Sequence, residues 1–255
     1  MNDLGAIYVI VLRELKKFVR EKSRLVSSIA RPLIWLFMVG GGLSRLVTAR
    51  SGIAYTQFIF PGILGMTILF SAMFSSISII WDKEFGFLKE ILVAPVRRSS
   101  IIIGKALSGT AVSSIQAAII LLVAPAIGLH IGPARFALTL AICMMVSFSI
   151  SSFGLLLASF YESYESFSVI MNFIIMPMFF LSGAMYPVRM LPPALKAASV
   201  LNPLTYGVDA LKNSVFALQA GPMGPDFPLG TDIAVIISCS AVLVFAATAA
   251  SGRKG

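Results

Sequence analysis

The chain has 255 residues, of which 58% are hydrophobic and only 12% are charged. Soluble domains average about 45–50% apolar and about 25% charged residues. A soluble globule, a disordered chain, a fibrous repeat and a disulfide scaffold therefore all fit poorly. The composition predicts an all-α integral membrane protein with several spanning helices.

The net charge of +9 is compatible with nucleic-acid binding, but its distribution points elsewhere. The Lys and Arg residues lie between apolar segments, which is typical of membrane proteins. We therefore expect no nucleic-acid partner. Cys143 and Cys239 lie inside apolar runs and are predicted to be buried small side chains. His130 has no His or Cys partner in a metal-binding spacing, so no metal site is expected.

Six apolar runs are long enough to cross a bilayer, which takes about 20 residues. We predict one transmembrane domain over 1–255. Arg31 and Pro32 interrupt the first run, and Arg31 lies close enough to one end for its head to reach the interface. The predicted spans are Leu25–Leu43, Phe58–Ile80, Ile101–Ile127, Phe136–Phe160, Phe167–Gly183 and Thr231–Ala250.

The distribution of Lys and Arg predicts the orientation of these spans. With the N-terminus inside, the inner segments hold twelve such residues and the outer segments hold six, Lys212 among the latter. Positive charge is enriched in cytoplasmic loops, so both termini are predicted to be cytoplasmic. The long charged N-terminal stretch and the broken first run disfavour a cleaved signal peptide.

Residues 1–24 are predicted to form an amphipathic helix in the membrane interface. Leu4, Tyr8, Val11, Leu15 and Phe18 form an apolar stripe at helical spacing, and most cations fall on the opposite side. Such a helix is either an anchor or a lever connected to the first span.

The inner segment 81–98 carries an apolar stripe and mixed charges. Trp81, Phe85, Leu88 and Leu92 recur at i, i+4, i+7 and i+11, and Pro95 stops or bends the helix. A short helix of this kind suits docking into a groove of another protein. An ordinary interfacial loop is the alternative.

The outer segment 184–230 is longer than most loops. Proline- and glycine-containing turns separate two short apolar stretches, 194–201 and 204–218, and neither is a full span. Two helices that enter the membrane and return would fit, since such backbone must be buried in protein or line a wet cavity. Two surface helices in a solvent-exposed loop are the alternative.

Catalytic and nucleotide-binding motifs are absent from the sequence. The tripeptide at 104–106 is Gly-Lys-Ala, and it lacks both the upstream glycine and the following Ser or Thr of a phosphate-binding loop. No catalytic residues and no bound cofactor are expected. Ionisable residues are scarce within the predicted spans, which disfavours an ion-coupled pump and suggests that a partner supplies energy.

Three sequence clusters resemble the ABC-2 type permeases, the membrane subunits of ATP-binding-cassette exporters. The first is QFIFPG at 57–62. The second is EFG at 84–86 through EILVAP at 90–95, followed by GK at 104–105. The third is LSG at 181–183, YP at 186–187, LPP at 191–193 and LNPLTY at 201–206. The pattern is most similar to drug-exporter and nodulation lipo-oligosaccharide exporter permeases; polysaccharide and teichoic-acid exporters share the architecture.

The resemblance implies six spans, an interfacial N-terminal helix, a cytoplasmic coupling helix and outer re-entrant helices between spans five and six. It also implies membrane lipid around two permease copies, a homodimer being the simpler case, and separate cytosolic ATPase subunits that bind ATP and magnesium. The coupling residues are then Asp82, Glu84, Phe85, Gly86, Leu88, Glu90, Leu92 and Pro95. The outer cap residues are Tyr186, Pro187, Pro192, Pro193, Asn202, Pro203 and Tyr206.

The expected function is export across a bacterial cytoplasmic membrane of a drug-like amphiphile, a lipid, or a glycolipid or polysaccharide. Aromatic and Met side chains suit an adaptable apolar path. The predicted path residues are Met66, Phe70, Phe74, Asn172, Met176 and Phe179. Two other functions stay open: an ion-coupled carrier or passive channel, and a membrane scaffold without transport.

Overall fold

The computed structural model describes residues 3–43, 54–84, 97–216 and 224–252. All regular elements in these ranges are helical. The longer ones are α1 (Asp3–Arg20), α2 (Lys22–Trp35), α3 (Tyr55–Ser75), α4 (Ile77–Glu84), α5 (Arg98–Leu121), α6 (Pro133–Phe160), α7 (Tyr164–Leu181), α8 (Pro193–Leu201), α9 (Pro203–Phe216) and α10 (Leu229–Gly252). A π-helical turn, Leu36–Gly40, extends α2 as far as Leu43.

Six helical stretches are long and apolar enough to cross a membrane, as predicted. They are Leu25–Leu43, Tyr55–Glu84, Arg98–Leu121, Pro133–Phe160, Tyr164–Leu181 and Leu229–Ser251. The first has the predicted bounds. The second continues to Glu84, so Trp81–Glu84 forms the last turn of the span rather than the start of a separate loop helix.

The third span differs most from its prediction, which placed its end at Ile127. The α-helix ends at Leu121, and Ala124–Ile127 form a 3₁₀ turn. Pro125 lacks the N–H that a continuing helix requires. Gly128 follows with a φ of 78°, a left-handed conformation that favours glycine.

Helix α3 lies at the centre of the protein. Every residue from Phe58 to Leu69 is buried, and α3 packs against α5, α6 and α9. In contrast, spans one, five and six bury few of their residues. Their exposed side chains include Phe37, Phe173 and Phe245. Large apolar faces of this kind are suited to lipid or to another membrane subunit.

Small residues permit the close approach between α3 and the turn after α7. A Cβ atom on Gly62 would lie 2.4 Å from the carbonyl oxygen of Ala184 and 2.8 Å from its Cα. Because both of these atoms belong to the backbone, the larger side chain would force the two segments apart. Small residues at such contacts are a common feature of membrane helix packing.

We therefore expect Gly62→Ala to lower the melting temperature of the detergent-purified protein, at a cost of about 1–3 kcal/mol for overpacking. Gly41→Ala is the matched control, because a Cβ atom on Gly41 meets nothing within 4 Å. Equal melting temperatures for the two variants would contradict this account of the α3 contact.

Candidate coupling junction, cavity and outer cap

The last turn of span two contacts the inner ends of several other helices. Trp81 lies beneath the Lys17 ammonium of α1, with Nζ 4.3 Å from the ring centroid. The Trp81 ring also packs against Tyr164 at the start of α7, with centroids 6.2 Å apart. One aromatic side chain therefore joins the N-terminal helix to spans two and five.

Asp82 faces the interior of the protein and takes part in a cluster of four charges. Lys105 of α5 places its Nζ 2.5 Å from Asp82 Oδ2 and 3.0 Å from Glu14 Oε1 of α1. Arg13 lies 3.1 Å from Asp82 and 3.0 Å from Glu14. Ser78 accepts a further hydrogen bond from Lys105 at 3.0 Å. We call Arg13, Glu14, Asp82 and Lys105 the inner charge cluster.

The charges of the inner charge cluster balance, which explains how a lysine side chain with only 2% exposure is accommodated. A buried charge is costly unless it is paired and hydrogen-bonded. At Glu14, burial acts to raise the pKa, but the Lys105 ammonium and the Arg13 guanidinium outweigh it and hold the pKa of Glu14 below its ordinary value. Glu14 is therefore a carboxylate at neutral pH.

Lys83 and Glu84 contact two further helix ends. Lys83 Nζ donates to the carbonyl oxygens of Ala158 at 3.0 Å and Tyr161 at 3.3 Å, at the C-terminal end of α6. Glu84 accepts a hydrogen bond from the backbone N–H of Tyr164 at 2.9 Å, at the N-terminal end of α7. Each side chain complements the charge of the helix end that it meets. Trp81–Glu84 thus connects α1, α5, α6 and α7, and we call it the coupling turn after the role that the sequence resemblance implies for 81–95.

The predicted coupling residues fall into three groups. Glu84 is exposed at the inner end of span two. Asp82 is buried in the inner charge cluster, so any contribution it makes to coupling runs through that cluster and not through direct contact with a partner. Phe85, Gly86, Leu88, Glu90, Leu92 and Pro95 lie outside the described residues.

A cavity of about 200 Å³ lies between α2, α3 and α5. Three of the six predicted path residues, Met66, Phe70 and Phe74, line it. The rings of Phe70 and Phe74 stack with centroids 6.4 Å apart. The polar side chains that line the cavity were not predicted from the sequence to belong to the path. They are Ser27, Ser28, Arg31, Thr67, Ser71 and Gln116.

The other three predicted path residues lie elsewhere, on α7. Asn172 and Met176 are exposed, and the Asn172 side chain donates to the carbonyl of Ser168 at 2.9 Å, within its own helix. Phe179 is buried and lines a second, smaller cavity near Trp35. The six residues therefore do not form one surface within this chain.

The outer segment contains two short helices, α8 and α9, close to the predicted apolar stretches. Prolines begin both: Pro192 is the N-cap of α8, and Pro193 and Pro203 are first helical residues. Helix α8 is mostly exposed, whereas α9 is almost entirely buried against α3, α6 and α10. Their placement relative to a bilayer stays a prediction.

Side chains among the predicted cap residues hold this segment together. Asn202 lies between α8 and α9, where it donates to the Met178 carbonyl at 2.7 Å and accepts from Leu204 N–H at 3.1 Å. The Tyr206 hydroxyl donates to Val200 at 3.0 Å, and the Tyr186 hydroxyl donates to Phe180 at 2.6 Å. Pro187 is the N-cap of the 3₁₀ turn Val188–Met190. These contacts satisfy carbonyl oxygens at or near helix ends.

Charged residues in the cap form a network that sequence reasoning missed. Asp209 accepts the backbone N–H groups of Asp226 at 2.7 Å and Phe227 at 2.8 Å. Asp226 accepts from the Arg189 side chain at 3.0 Å. Lys212, which the sequence placed in an outer loop, is only 1% exposed and lies 5.4 Å from the centroid of the Phe58 ring.

Comparison with known proteins identifies sequences similar to this chain. Residues 5–216 match the family model described as ABC-2 type transporter. The chain is 30% identical to ycf38 of Cyanophora paradoxa, named as a transport permease, over 81% of this chain and 72% of that one. It is 27% identical to Nodulation protein J of Rhizobium leguminosarum bv. trifolii, over 74% of this chain and 72% of that one. It is also 26% identical to the inner membrane transport permease YadH of Escherichia coli K12, over 91% of this chain and 89% of that one.

Proposed function

Because this chain belongs to the ABC-2 type transporter family and is a transport permease, we propose that it is the membrane subunit of an exporter driven by separate cytosolic ATPases. ATP and magnesium bind to those partner subunits. Two copies of the permease, a homodimer in the simplest case, enclose the path for an amphiphilic substrate: a drug-like molecule, a lipid, or a glycolipid or polysaccharide.

The coupling turn is the observation that carries this proposal. Segment 85–96 follows it directly in the chain, and the family resemblance assigns coupling to the ATPase to 81–95. A push on this segment reaches Trp81–Glu84 first. From there the contacts of the coupling turn act on the inner ends of α1, α5, α6 and α7 together.

The exposed faces of spans one and five support the second copy. Phe37 on span one, and Phe173 and Met176 on span five, present large apolar side chains on the surface of this chain. The position of Asn172 among them favours protein over lipid at this face, because a polar side chain is costly in hydrocarbon. The excess of Lys and Arg in the predicted inner segments supports cytoplasmic termini, and the similarity to a relative named as an inner membrane permease supports location in the inner membrane.

The test is purification of the tagged protein co-expressed with its native neighbouring genes, identification of the subunits that co-purify, and then ATP hydrolysis and transport assays in proteoliposomes. We expect a stoichiometric soluble ATPase. A functional transporter that purifies without an ATPase would indicate a channel or ion-coupled carrier. A stable complex that lacks both hydrolysis and transport would indicate a scaffold.

Glu84→Arg tests the coupling turn within that complex. The substitution replaces the acceptor of the Tyr164 N–H with a cation beside a helix N-terminus, which is unfavourable. We expect ATP hydrolysis to persist while transport per ATP falls at least about tenfold, a change of about 1.4 kcal/mol in coupling. Glu165→Arg is the matched control, since Glu165 is also exposed in the first turn of α7. Equal coupling in both variants would contradict the role of Glu84.

A further inference from the structure

The cavity between α2, α3 and α5 contains a guanidinium that has no counter-ion among the residues that the structure describes. Arg31 lines the cavity, and its Cζ atom lies 5.9 Å from the centroid of the Phe70 ring. Within the described residues, Arg31 makes no ion pair or hydrogen bond through its side chain. A cation held over an aromatic ring in a cavity, without a carboxylate of its own, is available to an anion from outside.

A second polar side chain in the same cavity has a buried oxygen without a hydrogen-bond donor in the described part of the chain. Gln116 is 2% exposed, and its Oε1 atom accepts no hydrogen bond from any side chain or backbone group that the structure describes. A buried amide oxygen left without a donor costs about 1–3 kcal/mol. A ligand that donates a hydrogen bond, such as a hydroxyl group, would recover this cost.

Two hydroxyl groups of the remaining polar lining already donate their hydrogens within the helices. Thr67 donates its hydroxyl hydrogen to the Ile63 carbonyl at 2.8 Å, and Ser28 donates to Leu25 at 2.9 Å. Their oxygen lone pairs are left as acceptors. Pro32 has no N–H, so the Ser28 carbonyl lacks its usual helical donor. The cavity therefore combines one cation with several acceptors, beside the stacked rings of Phe70 and Phe74.

On these contacts, and on the proposed transport function, we propose that this cavity binds the headgroup of an amphiphile that carries one anionic group and neighbouring hydroxyl groups. Arg31 binds the anion, and Gln116 accepts from a hydroxyl. The volume of about 200 Å³ equals roughly six or seven water-sized groups, enough for a headgroup but not for the acyl chain. Arg31 is exposed, so the acyl chain of the amphiphile leaves the cavity on the Arg31 side.

Binding of two matched probes to the permease–ATPase complex in phosphatidylcholine nanodiscs tests this assignment. Dansyl-labelled lysophosphatidylglycerol supplies an anion and a diol, whereas lysophosphatidylcholine with the same labelled chain has neither a net charge nor hydroxyls on its headgroup. We expect about tenfold tighter binding of the first probe. Arg31→Gln should abolish this preference. Gln116→Glu should weaken the anionic probe selectively, because it adds a like charge.

Arg135→Gln is the control, since Arg135 is exposed at the start of α6, away from the cavity. Equal binding of the two probes to the unsubstituted complex, or a preference that survives Arg31→Gln, would overturn the proposal. In proteoliposomes, stimulated ATP hydrolysis with movement of the probe across the membrane identifies an exported substrate, whereas binding without turnover identifies a resident lipid; both outcomes keep the site. The Glu84→Arg coupling assay needs no probe binding at this cavity, so failure there and failure here are distinguishable.

Discussion

Lys105→Met is expected to cause the largest loss of stability among single substitutions at the inner charge cluster. It removes one of two cations and leaves the carboxylates of Glu14 and Asp82 with Arg13 alone. Breaking a buried ion pair by removing one partner costs about 3–5 kcal/mol. Whole proteins are stable by only about 5–15 kcal/mol, so we expect a greatly lowered melting temperature in size-exclusion thermal assays of detergent-solubilised protein.

A double-mutant cycle separates the charge effect from damage to packing. Lys105→Met with Asp82→Asn removes one charge of each sign, so the double variant should be more stable than Lys105→Met alone. Lys196→Met controls for the substitution itself, because Lys196 is exposed on α8. Strictly additive losses in the cycle, or an unchanged melting temperature for Lys105→Met, would show that the cluster does not stabilise the junction.

The inner charge cluster also bears on the two interpretations of the N-terminal helix. Sequence reasoning left α1 as either an anchor or a lever. Two of its side chains, Arg13 and Glu14, bind charges from spans two and three. The Ile10 side chain of α1 also packs closely against Gly104 of α5. A Cβ atom added to this glycine would lie 3.1 Å from Ile10 Cδ1. These contacts favour a lever, because a helix joined to two spans must move with their inner ends.

Local sequence patterns predicted the membrane spans better than they predicted the candidate sites. The bounds of Leu25–Leu43 followed from the length of its apolar run, although Arg31 and Pro32 interrupt that run. The partners in the inner charge cluster are separated by 69 residues between Arg13 and Asp82, and by 91 residues between Glu14 and Lys105. No short-range pattern links residues so far apart in the chain, so only packing of the helices reveals the cluster.

The residues that line the cavity could likewise be predicted only in part from the sequence. Met66, Phe70 and Phe74 are spaced by four residues and therefore share one helix face, and the structure places all three in one lining. Asn172 and Met176 are spaced in the same way on α7, but their face is exposed. Spacing thus indicates which residues lie together on one helix. It does not indicate which neighbouring helix they face, and so Arg31 and Gln116 could not be assigned to the cavity.

Asp209→Asn is expected to release the outer cap from the start of span six. The two Asp209 carboxylate oxygens accept different backbone N–H groups, Oδ1 that of Asp226 and Oδ2 that of Phe227. An asparagine has one acceptor oxygen and can keep only one of these bonds. The loss of charge also leaves the buried Lys212 less compensated, and together these effects cost about 2–4 kcal/mol. We expect faster hydrogen exchange of the 226 and 227 amides together with a lower melting temperature.

Combining Asp209→Asn with Lys212→Met separates the two contributions. The double variant removes the buried ammonium, so the melting temperature should recover in part, because Lys212 lies against the Phe58 ring and a methionine suits that contact. The exchange at 226 and 227 should stay fast, because the missing acceptor is not restored. Slow exchange at these amides in Asp209→Asn would show that the carboxylate does not hold the cap, whereas recovery of both quantities in the double variant would assign its effect to charge alone.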